Sequence, residues 1–454
     1  MKLQKQIPSV SALQRLKALP AMIRNPIPNL LKWQKKFGPI YQIYVGKSSA
    51  IVLTEPTYIQ QLLQKKHRVT EKSKIQTELL GRYAGKGLLT STGNYWLQQR
   101  RAIQPGFHKE RLAGLNNLIV NEVDQFKLKL IDLADKGKPV NLSKVMMQLS
   151  SKIIGRSLFS EDLTYENVDF ISDVVVAIQK HLVKIIRIPF GDKWANIDGT
   201  NQELLNLVHT ADKLLLEIIE KRKIDKTSKN DLLDMLLAVT YEGTNKGMTI
   251  KQIMDEAVIL FVAGYETTAN ALTWLWYLLD KHPNVVEKLQ HETKTILNGK
   301  APSFEDLKSL AYNKQVIQET MRLYPPAWST DRVVLQNFDI DGYPINKGDV
   351  VIPFIYGVHH NEKYWPEPEK FKPERFAPNQ QKTQAAFAYL PFGGGPRLCI
   401  GSQFALMEMQ LVLAMLVTNF KFTLAQKHQP ELQPMITLRP KGELLMQVNQ
   451  LRKL

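Results

Sequence analysis

The spacing of apolar side chains divides the chain into one long helical stretch and several shorter strand-like segments. From residue 92 to 325, apolar positions recur every three or four residues, which is the period of helices with one buried face. Residues 39–54 alternate between apolar and polar and turn at Gly46, a pattern that predicts a β-hairpin. Residues 327–356 favour strands again, and residues 402–419 predict a last apolar helix before a tail of strands and turns.

Glycine and proline residues interrupt the helical period and predict where helices end. The interruptions are at Pro105-Gly106, at Gly137-Lys138-Pro139, between Pro189 and Gly199, between Gly243 and Gly247, and at Pro283. No internal repeat or flexible linker divides the chain, so the pattern predicts a single domain over residues 1–454, mainly α with a small β lobe (α+β). The predicted parts are an N-terminal and β lobe at about 1–70 and 327–360, a helical body at about 90–325 and 361–420, and C-terminal strands at about 420–454.

The charge balance is strongly basic, with 60 Lys and Arg against 43 Asp and Glu and a net charge of +17. This excess indicates an acidic partner or a membrane surface, or it is a dispersed solubilising charge. Nucleic acid is disfavoured because no dense Lys/Arg block with interleaved aromatic residues occurs. Basic residues interrupt the apolar runs near the start, so we expect no signal peptide, no membrane anchor and a cytoplasmic protein.

The one cysteine of the chain lies in an unusual segment that runs from Phe392 to Gly401. Three consecutive glycines and Pro396 precede it, a composition that favours a tight, shaped loop over a helix or strand. Arg397 stands two residues before Cys399. A lone cysteine is most often a small buried hydrophobe. Here the loop, the adjacent cation and the apolar helix that follows favour a thiolate ligand instead.

A polar cluster interrupts the most apolar stretch of the chain, residues 257–279. Glu266, Thr267, Thr268 and Asn270 lie near its centre. Burying a carboxylate and hydroxyls is costly unless they are paired or used. The cluster therefore predicts either a structural kink or a distorted helix that presents an acid and an alcohol able to relay protons. A membrane-spanning helix is a third possibility, because the stretch is long enough to cross a bilayer.

Two further pairs of residues are spaced to share one face of a helix. Glu319 and Arg322 are three apart and predict an ion pair. Such pairs are usually exposed and weak, unless Arg375, in an irregular segment, joins this one in a buried network. Trp96 and Arg100 are four apart and combine an indole N–H with a guanidinium, which suits an anion. An ordinary amphipathic helix with arginines facing water has the same spacing.

Taken together, these motifs strongly resemble those of the cytochrome P450 family. The loop fits F-x-x-G-x-R-x-C-x-G, and the polar cluster fits A/G-G-x-D/E-T-T. The motifs E-x-x-R, P-E-R-F and W-x-x-x-R are also present, and all five follow the family's order. The matching residues are Phe392, Gly395, Arg397, Cys399 and Gly401 in the loop, Ala263 to Thr268 in the helix, Glu319 with Arg322, Pro373 to Phe376, and Trp96 with Arg100.

The resemblance implies the triangular, mainly α fold of that family and a haem b cofactor. Cys399 would be the axial thiolate ligand of the haem iron, and Phe392 would pack beside the sulfur. Backbone N–H groups of the loop and the start of the next helix would stabilise the thiolate. The residues implied to hold the haem propionates are Trp96, Arg100, Arg397 and, on a looser motif, Arg332.

The same resemblance implies roles for the remaining motif residues. Glu266 and Thr267 would be the catalytic residues, lying over the distal face of the haem and delivering protons. Glu319, Arg322 and Arg375 would be structural and would hold the part of the fold that supports the cysteine loop.

The implied activity is a monooxygenase that uses dioxygen to hydroxylate or epoxidise a hydrophobic small molecule. Fatty acids are the favoured class, with terpenoids and steroids open. We expect a monomer that takes electrons from a separate ferredoxin or flavodoxin with its reductase, because no flavin or iron–sulfur motif follows the last helix and the basic charge suits an acidic partner. The alternatives are a peroxide-using haem enzyme of the same fold, a non-catalytic haem protein that senses a gas, and a membrane-associated helical binding protein.

Overall fold

The structure is a computed structural model that describes residues 5–45, 48–188, 191–225, 228–425 and 429–451. Helices dominate, and the strands are short. The α-helices are α1 (Ala12–Arg24), α2 (Ile27–Phe37), α3 (Pro56–Gln60), α4 (Gly81–Ala84), α5 (Gly93–Ile103), α6 (Lys109–Asp135), α7 (Leu142–Phe159), α8 (Tyr165–Arg187), α9 (Gly191–Ile197), α10 (Thr200–Asp225), α11 (Leu232–Leu237), α12 (Ile250–Lys281), α13 (Pro283–Leu297), α14 (Ala311–Leu323), α15 (Ile355–His359), α16 (Pro378–Gln381) and α17 (Ser402–Val417).

Apart from β4, which lies between α6 and α7, the strands cluster near the two ends of the chain and after α14. They are β1 (Ile40–Val45), β2 (Ser48–Leu53), β3 (Thr70–Glu71), β4 (Val140–Asn141), β5 (Arg332–Val334), β6 (Phe338–Ile340), β7 (Tyr343–Ile345), β8 (Val350–Pro353), β9 (Phe420–Leu424), β10 (Leu432–Pro434), β11 (Leu438–Pro440) and β12 (Leu445–Gln450). Short segments with other helical geometry are the π-helical Gln61–Lys65 and Ile75–Leu79 and the 3₁₀ segments Gln104–Phe107, Asp306–Lys308, Pro373–Phe376 and Gly395–Arg397.

The described residues group into two compact units. The first unit comprises Met1–Gln76, Gln318–Cys399 and Leu432–Arg439. It contains the main sheet, in the strand order β1-β2-β8-β5-β3. β1 and β2 form the predicted antiparallel hairpin, and β8 pairs with β2 in parallel. Ile51 and Val351 are fully buried in one core cluster of this unit, and Val52, whose side chain points to the opposite face of β2, is fully buried in another, so both faces of β2 are covered.

The second unit comprises Thr77–Ile317, Ile400–Glu431 and Pro440–Leu454. Its longest helix is α12, which begins at a capping box in which the side chains of Thr249 and Gln252 satisfy each other's backbone N–H groups. It ends just before a proline that starts α13. α7 packs along α12, and β4, β12 and β9 form a small antiparallel sheet.

The structure differs from the predicted pattern in two places. The predicted break between residues 189 and 199 contains the helix α9, whose first turn carries Asp192. A carboxylate in the first turn is favourable there, and it also binds Arg82 at 2.7 Å. The sequence also predicts a helix that opens at Glu55-Pro56 and runs toward Lys66; it begins as α3 but continues as the wider π-helical segment Gln61–Lys65. Residues 46–47, which include the predicted turn at Gly46, lie outside the described part.

Apolar length does not make any described helix a membrane span. Within the described residues, no helix combines the length and the hydropathy that crossing a bilayer requires, and this includes α12. Most of α12 is instead buried within the protein.

Candidate functional site

The cysteine loop is held by its own backbone hydrogen bonds. The Gly393 N–H donates to the Leu390 carbonyl, and the Cys399 N–H donates to the Phe392 carbonyl, each at 3.0 Å. The second bond closes the loop from Phe392 to Cys399 and leaves the thiol exposed. Three residues later α17 begins. The expected shaped loop is therefore present, and its sulfur is accessible rather than packed as a small core hydrophobe.

Gly395 shows why this loop needs glycine. Its φ of +69° lies in the left-handed region, and a Cβ placed there would be 2.1 Å from the Leu63 carbonyl oxygen. The obstacle is backbone of the π-helical Gln61–Lys65 segment, so it cannot rotate away like a side chain. Gly393 also has a positive φ, +74°, but a Cβ there would meet nothing within 4 Å. Glycine is thus required at position 395 both by the left-handed backbone conformation and by the close packing against Leu63.

Two guanidinium groups lie near each other beside this loop. Arg332, on β5, is buried and donates to the carbonyl of Asp331 at 2.6 Å. Burial and, to a lesser extent, the positive charge of Arg332 lower the pKa of Arg397 to about 10, an effect that the negative charge of Glu71 partly offsets. Burial also lowers the pKa of Arg332, which Asp331 partly offsets. A pair of partly desolvated cations that repel each other is a suitable receptor for a carboxylate.

Trp96 and Arg100 lie on α5 of the second unit, one helical turn apart. Trp96 is buried, whereas Arg100 is half-buried and donates through Nε to Gln104 at 3.2 Å. The predicted spacing on one face is therefore present. The neighbouring Arg101 points to solvent and forms only a loose pair with Glu242 at 3.6 Å, both side chains being well exposed.

The polar cluster of α12 lies within one continuous helix. The Thr267 hydroxyl donates to the Ala263 carbonyl at 2.8 Å and the Thr268 hydroxyl donates to the Gly264 carbonyl at 3.0 Å, which are bonds of the kind that often bend a helix. Glu266 is only 1% exposed, and its carboxylate accepts a hydrogen bond from Gln179 on α8.

The Glu266 carboxylate and the Thr267 hydroxyl therefore differ in their exposure to solvent. Thr267 is half-exposed and Ala263 is exposed, although most positions around them on α12 are buried. Between them, Gly264 allows α7 to approach, since a Cβ there would be 3.0 Å from Ile154. The helix thus presents a small accessible strip with a hydroxyl, while the carboxylate of Glu266 is enclosed behind it.

Glu319, Arg322 and Arg375 meet in one buried network of the first unit. Arg322 binds both carboxylate oxygens of Glu319, at 2.7 and 2.8 Å, and both side chains are fully buried. Arg375 binds the same carboxylate at 3.2 Å, and the Lys372 N–H donates to it at 3.0 Å. Burial lowers the pKa of Arg375, an effect that Glu319 partly offsets. Arg375 therefore joins Glu319 and Arg322 in a buried network, which is what the predicted structural role of the three residues requires.

His359 extends this network to the cysteine loop and was not recognised from the sequence. Arg322 donates to the His359 carbonyl at 2.8 Å, and the Leu390 N–H donates to His359 Nε2 at 2.8 Å. Burial holds the pKa of His359 well below its usual value, so the ring is neutral and its Nδ1 can donate to the Arg322 carbonyl at 3.2 Å. Leu390 is also the acceptor of the first loop bond. The nearest sequence signal is an apolar segment that ends in His359-His360, which has no diagnostic spacing.

The chemistry of these groups fits a haem. Cys399 offers an accessible thiol for iron, and the cations Arg332 and Arg397 on the same unit offer a receptor for acidic substituents. On the second unit, the Thr267 hydroxyl is accessible beside the small residues Ala263 and Gly264.

Comparison with known proteins agrees with this fit. The sequence profile described as cytochrome P450 matches residues 7–447. The chain is 31% identical to the putative cytochrome P450 132 of Mycobacterium bovis over 79% of each chain. It is 30% identical to the cyclooctat-9-en-7-ol 5-monooxygenase of Streptomyces melanosporofaciens, covering 88% of this chain and 86% of that one. It is 31% identical to the chloroplastic protein LUTEIN DEFICIENT 5 of Arabidopsis thaliana, covering 87% and 69%.

A solved structure shares the fold. The crystal structure of the cytochrome P450DA heme domain aligns with a TM-score of 0.88 over 99% of this chain and 98% of that one, at 21% identity. The predicted mainly α fold with a small β part is thereby confirmed. The profile match over nearly the whole sequence and the relatives at 30% identity or more show that the chain belongs to the cytochrome P450 family, as a haem-dependent monooxygenase.

Proposed function

We propose that this enzyme hydroxylates or epoxidises a hydrophobic small molecule, using dioxygen and electrons from a separate acidic ferredoxin or flavodoxin with its reductase. The observation that carries the proposal is the exposed Cys399 thiol in a loop fixed by backbone bonds and by the close packing of Gly395. The proposal treats residues 1–454 as a single haem-thiolate domain. A monomeric state and a cytoplasmic location stay predictions.

The loop residues and the nearby cations have distinct roles in this proposal. Cys399 holds the iron through its thiolate, and Phe392 packs beside the sulfur. Arg332 and Arg397 bind a propionate, with Trp96 and Arg100 as the other propionate partners. When bound, thiolate-ligated haem supplies the oxygen-activating chemistry of the family, in which the electron-rich thiolate favours cleavage of the O–O bond. The mutual repulsion of the two arginines supports their role, since an anion relieves it.

Glu266 and Thr267 divide the handling of protons. The half-exposed Thr267 hydroxyl is the group that can exchange a proton with a bound molecule, while its bond to the Ala263 carbonyl fixes the direction of its oxygen. Glu266 lies behind the strip, and Gln179 orients its carboxylate by donating a hydrogen bond to it. A proton moves between them only if a water or a side-chain rotation bridges the two positions. This division favours a dioxygen-using enzyme over the peroxide-using and gas-sensing alternatives, which need no such relay.

The cysteine loop also carries features suited to an acidic redox partner. An open cavity of about 480 Å³ is lined by Gln64, Phe387, Gly393 to Pro396 and Leu398 on this unit. Lys65, in the segment that packs against Gly395, and Arg68, three residues after it, are both exposed. These charges attract an acidic protein to the side of the molecule that bears the thiolate loop, and salt must weaken that attraction.

The ligand and relay assignments are tested with three variants of the purified, haem-reconstituted enzyme. Cys399→Ser should abolish both substrate oxidation and the ferrous-CO band typical of thiolate ligation. Thr267→Ala should keep that band but divert electrons to hydrogen peroxide, raising the ratio of peroxide formed to reductant consumed. Thr268→Ala is the matched control, because that hydroxyl makes the same kind of bond to the preceding turn but is buried. A Cys399→Ser protein with an unchanged ferrous-CO band would refute the ligand assignment. Equal peroxide formation by both threonine variants would refute the relay.

The substrate class is tested by the shift of the Soret band from low to high spin. We propose fatty acids as the first class, on the spelling of the motifs. Terpenoid alcohols are the second, because one relative is named a cyclooctat-9-en-7-ol 5-monooxygenase. The expected result is a saturable shift with one class and turnover of that compound with a surrogate ferredoxin. A shift with neither class would refute both choices while leaving the ferrous-CO test of haem ligation unaffected.

A further inference from the structure

The helix α1 of the first unit presents a stripe of leucines to solvent. Leu13, Leu16 and Leu19 are 61%, 69% and 48% exposed, although large apolar side chains are usually buried. Their three-residue spacing places them on one face of the helix, and Ile23 continues that face with 37% exposure. A contiguous exposed apolar face of this kind marks an interaction surface.

The opposite face of α1 is attached to the protein. Ala18 is buried and, together with Met22, packs into a core cluster that includes Trp33 and Tyr41. The Arg15 guanidinium donates to the Tyr44 carbonyl and lies over the Tyr44 ring. The helix starts at a capping box formed by Ser11 and Gln14, so its first turn is stable without help from the leucine stripe. The stripe is therefore held outward by contacts that do not involve it.

The charged side chains of α1 and α2 are all basic. The first 54 residues contain nine Lys and Arg and no Asp or Glu, and the first acidic residue is Glu55. On α1, Lys17 and Arg24 are exposed along one edge of the stripe. On the next helix, α2, the exposed Lys32, Lys35 and Lys36 add to the same positive region. Leucines between basic side chains form the pattern of a helix that lies in the plane of a membrane interface.

We propose that α1 docks this enzyme on the surface of an anionic lipid bilayer, with the leucine stripe in the acyl boundary and the basic side chains among the headgroups. The helix has 13 residues and is therefore about 20 Å long, too short to cross the hydrocarbon core, so it binds peripherally. This docking is compatible with the absence of a described helix able to span a membrane.

Two other occupants of the stripe fit the charges less well. A second copy of the chain carries the same net charge of +17, so pairing two such surfaces is opposed by repulsion. An acidic protein satisfies the basic residues, but it would need a complementary apolar groove for three protruding leucines. An anionic bilayer satisfies both requirements, because each basic residue near its surface strengthens binding about fivefold.

The test measures sedimentation of the full-length, haem-loaded enzyme with phosphatidylcholine vesicles, with and without phosphatidylglycerol. We expect binding that depends on phosphatidylglycerol and decreases as salt is raised. The double variant Leu13→Gln/Leu16→Gln should bind at least about tenfold more weakly, given the burial free energy of leucine. The matched control is Leu128→Gln on α6, since Leu128 is exposed to the same 61% as Leu13. The ferrous-CO spectrum checks that every variant is folded.

A second measurement reports the depth of the helix. Tryptophan fluorescence of Leu16→Trp should be quenched by brominated acyl chains more strongly than that of Leu128→Trp or the unmodified enzyme. The proposal is overturned if the enzyme ignores phosphatidylglycerol vesicles, if the double variant binds them as well as the unmodified enzyme, or if Leu128→Gln loses as much binding. It is also overturned if, with no effect on vesicle binding, the double variant instead loses electron transfer from an acidic ferredoxin, because the stripe is then a protein-binding surface.

Discussion

Glu408 gives the sharpest test of the structure's energetics. It lies on α17 and is fully buried, and neither carboxyl oxygen has a hydrogen-bond partner among the described residues. The Ser150 hydroxyl, also fully buried, is near enough to favour the charged form slightly but does not meet hydrogen-bond geometry. Burial therefore dominates and raises the pKa of Glu408 from 4.5 to about 8. The carboxyl is protonated in the folded protein at neutral pH.

The shift makes folding depend on pH with a definite sign. Between pH 4.5 and about 8 the folded protein keeps the proton on Glu408, whereas the unfolded chain releases it. The contribution of Glu408 to stability is therefore complete below pH 4.5 and is lost as the pH rises toward 8. The slope is about 1.4 kcal/mol per pH unit, so the interval corresponds to a loss on the order of 5 kcal/mol. That is a large part of the 5–15 kcal/mol that typically separates folded from unfolded states.

Replacing Glu408 with glutamine isolates this effect, because the amide has the same shape and does not titrate. Urea unfolding of Glu408→Gln and of the unmodified enzyme should give similar free energies near pH 5. The variant should then become progressively more stable than the parent, by about 1 kcal/mol or more per pH unit up to pH 8. Glu220→Gln, an exposed change on α10, should leave the pH dependence as it is. Parallel curves for Glu408→Gln and the parent would refute the assignment of a buried, protonated carboxyl.

Two further predictions concern the cysteine loop and its support. Glu319→Gln leaves Arg322 buried without its charged partner and should lower the urea-unfolding free energy by about 3–5 kcal/mol, whereas Glu367→Gln, whose pairs with Lys370 and Lys372 are exposed, should change it little. Equal effects of the two changes on the unfolding free energy would show that burial does not determine how much these ion pairs stabilise the protein. Gly395→Ala adds a clash with the Leu63 carbonyl to left-handed strain and should abolish the thiolate-type ferrous-CO band, while Gly393→Ala meets no atom and should cost about 1–2 kcal/mol with the band retained. An intact band in Gly395→Ala would contradict the observed packing.

Local pattern was enough to predict the elements whose causes are local. The hairpin of β1 and β2, the extent of α12 and the pair of Glu319 with Arg322 follow from alternation, helical period and spacing within a few residues. The loop was also recognisable, because its glycines and proline specify an irregular backbone. These features are encoded by neighbours in the chain, which a single sequence displays directly.

Contacts between residues that are far apart in the chain could be predicted from the sequence only conditionally. Arg375 reaches Glu319 across 56 residues, and nothing in the spacing fixes that distance. Gln179, which encloses Glu266, comes from α8, 87 residues earlier. The sequence left a structural kink and a proton relay both open at this cluster for the same reason, since the partner that binds the Glu266 carboxylate is remote. Burial in a folded core decides these cases, and burial is a property of the whole unit.

The cysteine loop illustrates how such remote contacts determine a site that looks local in sequence. Three consecutive glycines should make the loop flexible, because glycine loses more conformational freedom on folding than other residues. Its order must therefore be imposed from outside, and two such contacts exist: the Leu63 carbonyl against Gly395, and His359 Nε2 against the Leu390 N–H. His359 is in turn held by Arg322, whose charge is satisfied by Glu319. A change at Glu319 thus has a physical route through Arg322, His359 and Leu390 to the loop that carries Cys399, the proposed haem ligand, although neither Glu319 nor Arg322 is part of that loop.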